Sequence, residues 1–271
     1  RLLENGANTS FVNRLADDEA PIEDIIADPV ERMRSLDSKA NPRIPLPTGM
    51  FPNRVNSRGI LLSDPAEAEP FLAEIARTLD GGVAAMPLID GEGQPGSAVP
   101  VRDPADRRRQ VGSVVPGTPA QLELAMARVL AATSSWDAAG GDSRATILER
   151  AADLYERDRA LLVGLCVREG GKTVSAGLAE VREAVDFLRY YALLARAEFA
   201  SPLQLPGPTG ERNELSLHGR GVFACISPWN FPVAIFTGQI AGALAAGNGV
   251  IAKPAEQTPL TAFACTRLLH E

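Results

Sequence analysis

The sequence predicts an α/β fold with a parallel, Rossmann-like sheet. Two apolar runs, Gly221 to Ser227 and "GVIAKP" from Gly249, flank the apolar helical stretch "PVAIFTGQIAGALAAG". Strand, helix and strand fit within about 33 residues, the size of a parallel βαβ unit. Both strand segments are continuously apolar rather than alternating, which implies helices on both faces of the sheet. At 271 residues the chain can hold one large domain, or a domain with pieces of others.

The other elements follow from local signals. Residues 1 to 17 read as a short helix ending at Asn5-Gly6, then the polar turn "NTS". Residues 18 to 40 are acidic and helical, with Pro21 and Pro29 as starting or breaking points. "NPRIPLPTGMFPNRVNSR", from Asn41 to Arg58, has four prolines. It is expected to be an extended surface connector and the best domain boundary. "SDPAEAEPFLAEIARTL" is a capped helix. Residues 81 to 117 are rich in Gly and Pro, with strands near Ala98–Arg102 and Gln110–Val115. Thr118-Pro119-Ala120-Gln121 is a capping box with proline at the first helical position, opening a helix to about Ala132. Asp142 is expected to cap a helix with apolar Ala145, Leu148, Ala151, Ala152 and Tyr155 at helical spacing. Asp158 begins another, carrying Leu161, Leu162, Leu165 and Cys166 and stopped by Gly170-Gly171. A fourth runs from about Ser175 to Phe199. Ser201 to Gly210 reads as a loop, "NELSL" as β-like alternation, and Thr258-Pro259 as the cap of a last helix.

Composition excludes several classes. Hydrophobic and charged residues make up 45% and 23% of the chain, as in ordinary globular proteins. The net charge of −7 leaves no general basic field for nucleic acid or anionic membrane. Arg107-Arg108-Arg109, flanked by Asp103 and Asp106, reads as a solvated loop. Cys166, Cys225 and Cys265 are widely spaced and odd in number, and only His218 and His270 are available. A zinc site or a disulfide framework is not expected, and a reducing, cytoplasmic setting fits best. No apolar run reaches the roughly 18 residues of a membrane span. "RLLENGANTS" lacks the apolar core of a signal peptide, and the start on Arg and the stop at "RLLHE" read as cuts at both ends.

Chemistry is concentrated at the two strand ends, where open α/β sheets bind ligands. Ser227-Pro228-Trp229-Asn230 follows the first strand and Lys253-Pro254-Ala255-Glu256 the second. Proline cannot donate to a ladder, so "ISPWNFP" must leave the sheet near Pro228. It is either a rigid packing turn or a site that holds one polar group still. Lys253 can donate to a ribose hydroxyl or phosphate, and Glu256 can accept from ribose hydroxyls. Asn230 offers the NH₂ needed where an oxyanion develops. No GxGxxG follows the first strand. On spacing alone, core packing is the commoner use of Trp229 and Phe231, and a surface position that of Lys253.

"ISPWNFP" followed about twenty residues later by "KPAEQTPLTA" resembles the aldehyde dehydrogenase superfamily. That resemblance implies NAD(P) binding without the glycine fingerprint. It makes Asn230 the side-chain half of an oxyanion hole, and Lys253 and Glu256 the adenosine-ribose contacts. Ile226, Ser227, Pro228 and Trp229 then line the cofactor cleft. "RLLENGANTSFVNR" resembles the end of a proline dehydrogenase (βα) barrel, and "PRIPLPTGMFPNRVNSRG" a connector into a pyrroline-5-carboxylate dehydrogenase domain. Together they resemble the bifunctional proline utilisation A family, with residues 1–17 as barrel tail, 18–58 as connector and 59–271 as NAD-binding domain. Arg1 is then one member of an arginine pair gripping the proline carboxylate, and FAD serves a barrel lying before it. The nucleophilic cysteine and general-base glutamate of that family lie past the equivalent of Glu271, so the piece alone is expected to be inactive. The implied partners are a small-molecule substrate and further copies in a homo-oligomer. Two alternatives stand beside this: a stand-alone NAD(P)-dependent aldehyde dehydrogenase of other specificity, and a non-catalytic binding module.

Overall fold

The computed structural model describes Asn13 and residues 15–271. The expected roles of Arg1 and of the barrel-like tail therefore fall largely outside the described residues. Contacts divide the chain into two units, one up to Leu46 and one from Pro47 to Glu271. In the first, α1 (Ile22–Ile26) starts after Pro21, and α2 (Pro29–Ser35) opens on proline with Asp28 accepting from the Val30 amide at 2.8 Å.

In the second unit, a single 3₁₀ turn (Pro47–Gly49) interrupts the proline-rich segment, which then docks through Ser57. The Ser57 amide and hydroxyl both donate to Asp186, at 2.7 and 3.1 Å. Helix α3 (Pro65–Thr78) is capped by Asp64. A mixed sheet in the order β1 (Val83–Ala85), β5 (Gln110–Val114), β4 (Val99–Arg102) pairs β1 parallel and β4 antiparallel to β5. Strands β2 (Leu88–Ile89) and β3 (Glu92–Gly93) form a small hairpin. Within the Gly/Pro-rich residues 81–117, β1 and this hairpin were not expected. Three- and two-residue strands are too short to establish a period.

The capping box opens α4 (Pro119–Ala138) as expected: the Thr118 hydroxyl accepts from Gln121 N, and the Gln121 side chain accepts from Thr118 N. The helix runs six residues beyond Ala132. Helices α5 (Gly140–Arg157), α6 (Arg159–Arg168) and α7 (Val174–Phe199) follow. Asp142 makes no side-chain cap, contrary to expectation, whereas Asp158 stands at the start of α6 as expected, without a side-chain capping bond. Asp142 lies inside the first turn of α5, where its charge still complements the helix dipole. Asp158 instead accepts two bonds from Arg157, at 2.7 and 2.9 Å. The core lies among these helices, with Leu148, Tyr155, Leu162, Leu165, Val185 and Leu188 all buried.

Residues 201–210 were expected to be loop but contain β6 (Leu203–Leu205), paired antiparallel with β7 (Asn213–Leu215). Flanking Pro202 and Pro206 hid it, since proline is tolerated at the ends of an exposed two-stranded ribbon. The βαβ unit is present as expected: β8 (Val222–Ile226), α8 (Ala234–Ala245) and β9 (Gly249–Lys253), with β8 and β9 parallel. Helix α8 ends in a Schellman motif: Asn248 N bonds Ala243 O, Gly247 N bonds Leu244 O, and Gly247 takes φ +82°. Its small face admits α7. A Cβ at Gly238 would lie 3.0 Å from the Phe187 ring, and one at Gly242 3.3 Å from Tyr191. Helix α9 (Pro259–His270) closes the chain.

One expectation fails in β8. Its continuous apolarity implied cover on both faces, yet Phe223 and Ile226 are exposed, Ile226 at 64%. Among the described residues the parallel sheet has two strands, too few to be covered throughout by the helices that follow them.

Candidate functional site

The parallel register decides where the site lies. Ile226 is the partner of Lys253, and the ladder continues as Ser227 N donates to Lys253 O at 3.2 Å. Both strands therefore end at the same edge, and "SPWN" and "KPAE" leave the sheet side by side. Ser227 is buried and Pro228 half-buried, while Ile226, Trp229, Asn230, Lys253 and Glu256 are exposed. Trp229 is 54% exposed and Phe231 40%, so neither ring is core packing within this chain. The carboxamide of Asn230 and the ammonium of Lys253 have no hydrogen-bond partner among the described residues, and Glu256 accepts only from Gln257, at 3.4 Å. These are free polar groups on a fixed frame. They suit ribose hydroxyls, which need one donor and one acceptor close together.

What fixes the frame comes from elsewhere in the sequence. Neither α8 nor α9 supplies its own side-chain cap. This corrects the expectation that Thr258 caps α9. Thr258 is buried, and its hydroxyl makes no capping bond. Two carboxylates from the α6–α7 region do the capping instead. Glu169, at the end of α6, accepts from Leu260 N at 2.7 Å, Thr261 N at 2.8 Å and Thr261 Oγ1 at 2.6 Å. Glu180, on α7, accepts from Val233 N at 3.3 Å and Ala234 N at 2.9 Å. Both carboxylates are buried. Burial pushes Glu169 up to about 7, against the lowering effect of its bonds from Thr261 and Leu260.

The Gly170-Gly171 turn, with Gly171 at φ +66°, ends α6 as expected and delivers Lys172. Its Nζ donates to Glu180 Oε1 at 2.6 Å and to the backbone carbonyl of Asn230 at 2.7 Å. It also lies 4.8 Å from the Phe231 ring centroid, within cation–π range. The sequence reading missed Lys172, Glu180 and Glu169. Glu180 did carry a signal, because it shares the apolar stripe of α7 with Gly177, Val181 and Ala184. A carboxylate on such a stripe needs a partner.

None of the three cysteines is placed to act. All are free and buried. Burial pushes Cys265 up to about 12 and raises Cys166 and Cys225 as well. The arginine run forms the expected solvated loop, with Arg108 on Asp106 and Arg109 on the buried Asp103, each at 2.9 Å.

Comparison with known proteins shows the family. The aldehyde dehydrogenase family profile matches residues 91–271. The chain belongs to the aldehyde dehydrogenase family. It is 44% identical over 278 residues to the bifunctional protein PutA of Escherichia coli K12, in an alignment covering 100% of this chain and 20% of that protein. Proline utilization A from Bdellovibrio bacteriovorus, inactivated by N-propargylglycine, superposes with a TM-score of 0.81 at 30% identity, covering 100% of this chain and 28% of that one. A 1-pyrroline-5-carboxylate dehydrogenase from Thermus with bound NAD superposes with a TM-score of 0.75 at 30% identity, over 82% of this chain and 43% of that one. The chain thus spans about a fifth of the length of the curated PutA relatives it matches. As a member of that family it has the family's α/β fold. No described helix is long and apolar enough to cross a membrane.

Proposed function

We propose that this chain is part of an NAD-dependent L-glutamate γ-semialdehyde dehydrogenase acting in proline catabolism, within a bifunctional enzyme that also oxidises proline with FAD. The carrying observation is the register of β8 and β9, which sets the unpartnered carboxamide of Asn230 on the same edge as Lys253. When a thiolate adds to the aldehyde carbon, negative charge develops on oxygen, and the Asn230 NH₂ donates to it. The thiolate and general base come from residues other than the three buried cysteines. Lys253 and Glu256 hold the adenosine ribose, and Ile226, Ser227, Pro228 and the exposed Trp229 line the cofactor cleft. NAD bound there would supply the hydride acceptor.

Coverage supports the bifunctional version. PutA relatives align with all of this chain, whereas the single-function dehydrogenase structures cover 82% and 79% of it. On this proposal residues 1–17 are a barrel tail, 18–58 a connector and 59–271 the dehydrogenase part, with Arg1 a contact to the proline carboxylate. The three free thiols suit a reducing cytoplasm. The exposed face of the β6–β7 ribbon supports a homo-oligomer, since Leu203 lies opposite Leu215 with both exposed.

Lys253→Ala in the complete enzyme tests the cofactor assignment. The KM for NAD should rise more than the KM for the semialdehyde, and NAD should be preferred to NADP because Glu256 would face a 2′-phosphate. An unchanged KM for NAD would sink the assignment.

A further inference from the structure

We infer that Lys172 and Glu180 are positioning residues for Asn230, a role that rests on the oxyanion assignment above. The loop Pro228–Val233 is restrained at its ends, by Pro228 and by the buried Pro232 and Val233, and is open between them. It lies beyond the strand ladder, Trp229, Asn230 and Phe231 are exposed, and α8 begins without a self-supplied cap. A donor on such a loop is useful only if it stays where charge will develop, because a misplacement of about 1 Å can cost on the order of 10² in rate. The restraint comes from the Lys172–Glu180 pair.

The pair grips both sides of Asn230. Lys172 Nζ holds the Asn230 carbonyl at 2.7 Å, fixing the peptide plane one bond from the Cα that carries the carboxamide. Glu180 Oε2 holds the amides of Val233 and Ala234, fixing the loop where it enters α8. The 2.6 Å bond between Lys172 and Glu180 joins the two grips into one unit. Glu180 is 2% exposed and the Lys172 side chain 17%, so water competes little for either. The Phe231 ring adds a cation–π contact, its centroid 4.8 Å from the Lys172 ammonium. Neither residue offers a group to substrate: the ammonium and the carboxylate already hold protein partners. Their effect on chemistry therefore passes through the placement of Asn230.

A double-mutant cycle in the complete enzyme separates this role from general damage. Lys172→Met keeps the aliphatic stem and removes the donor. It should lower kcat about 10- to 100-fold, with the KM for NAD within about twofold. In an Asn230→Ala background, Lys172→Met should cost less than about twofold more, because no carboxamide remains to misplace. Glu180→Gln, isosteric and without charge, should show the same pattern and serves if Lys172→Met does not fold. In the 271-residue chain, hydrogen exchange at the Val233 and Ala234 amides should quicken in Glu180→Gln. A full kcat for both variants, with Asn230→Ala still strongly impaired, overturns this inference alone. An equal loss in both backgrounds does so too, since it marks damage independent of Asn230. A near-normal Asn230→Ala enzyme overturns the oxyanion assignment beneath it.

Discussion

Asn230 and the three cysteines are opposite cases at the scale of single residues. The carboxamide of Asn230 is exposed and unpartnered at a fixed strand exit, while each thiol is buried, which disfavours its charged form. Losing one oxyanion-hole donor typically costs about 10²–10³ in turnover. Asn230→Ala in the complete enzyme should therefore lower kcat by about that factor while NAD binding stays near normal. A collapsed melting transition instead would favour a packing role for the turn. Replacing Cys166, Cys225 or Cys265 with Ala should leave at least about a tenth of turnover, any loss coming from packing. The 271 residues alone, given NAD and the semialdehyde, should yield no NADH above background. Turnover abolished by one of these three substitutions would contradict the burial argument.

Among the elements, α8 and α9 share one design. Each follows a parallel strand, each carries a site loop at its entrance, and each has its first amides satisfied by a buried carboxylate from another helix. For Glu169 this has a pH consequence. Its ordinary value is 4.5 and burial raises it to about 7 in the folded chain, so folding takes up a proton between those values. The stabilisation from this group is fully present below about 4.5 and is lost as pH rises through about 7, to an extent of at most about 3 kcal/mol. Urea denaturation between pH 5 and 8 should show wild type losing stability relative to Glu169→Gln as pH rises. The reverse slope would mean that the helix amides hold Glu169 ionised throughout.

At the scale of the whole molecule, the β6–β7 ribbon presents an uncovered apolar face. A two-stranded ribbon cannot bury its own apolar face, and Leu203, Leu205 and Leu215 are all exposed. If a second copy covers this face, the double substitution Leu203→Glu and Leu215→Glu should lower the mass of the complete enzyme by sedimentation at micromolar concentration. An unchanged mass would place the subunit contact elsewhere.

The sequence by itself determined the βαβ unit, the apolar faces of α5 and α6, the Thr118 capping box and the two loops that form the candidate site. Each is written in a local pattern: a period, a breaker, or proline beside a polar residue. Tertiary structure alone decided what holds those loops. The bonds from Glu180 to α8 span 53 and 54 positions, and those from Glu169 to α9 span 91 and 92. No local pattern records a partner at that distance, so Thr258 looked like the natural cap of α9 although its hydroxyl is not used. Burial was equally illegible at Phe223, Trp229 and Phe231. An aromatic side chain reads the same whether it packs in a core or faces outward at a sheet edge, and only the placement of neighbouring elements separates the two.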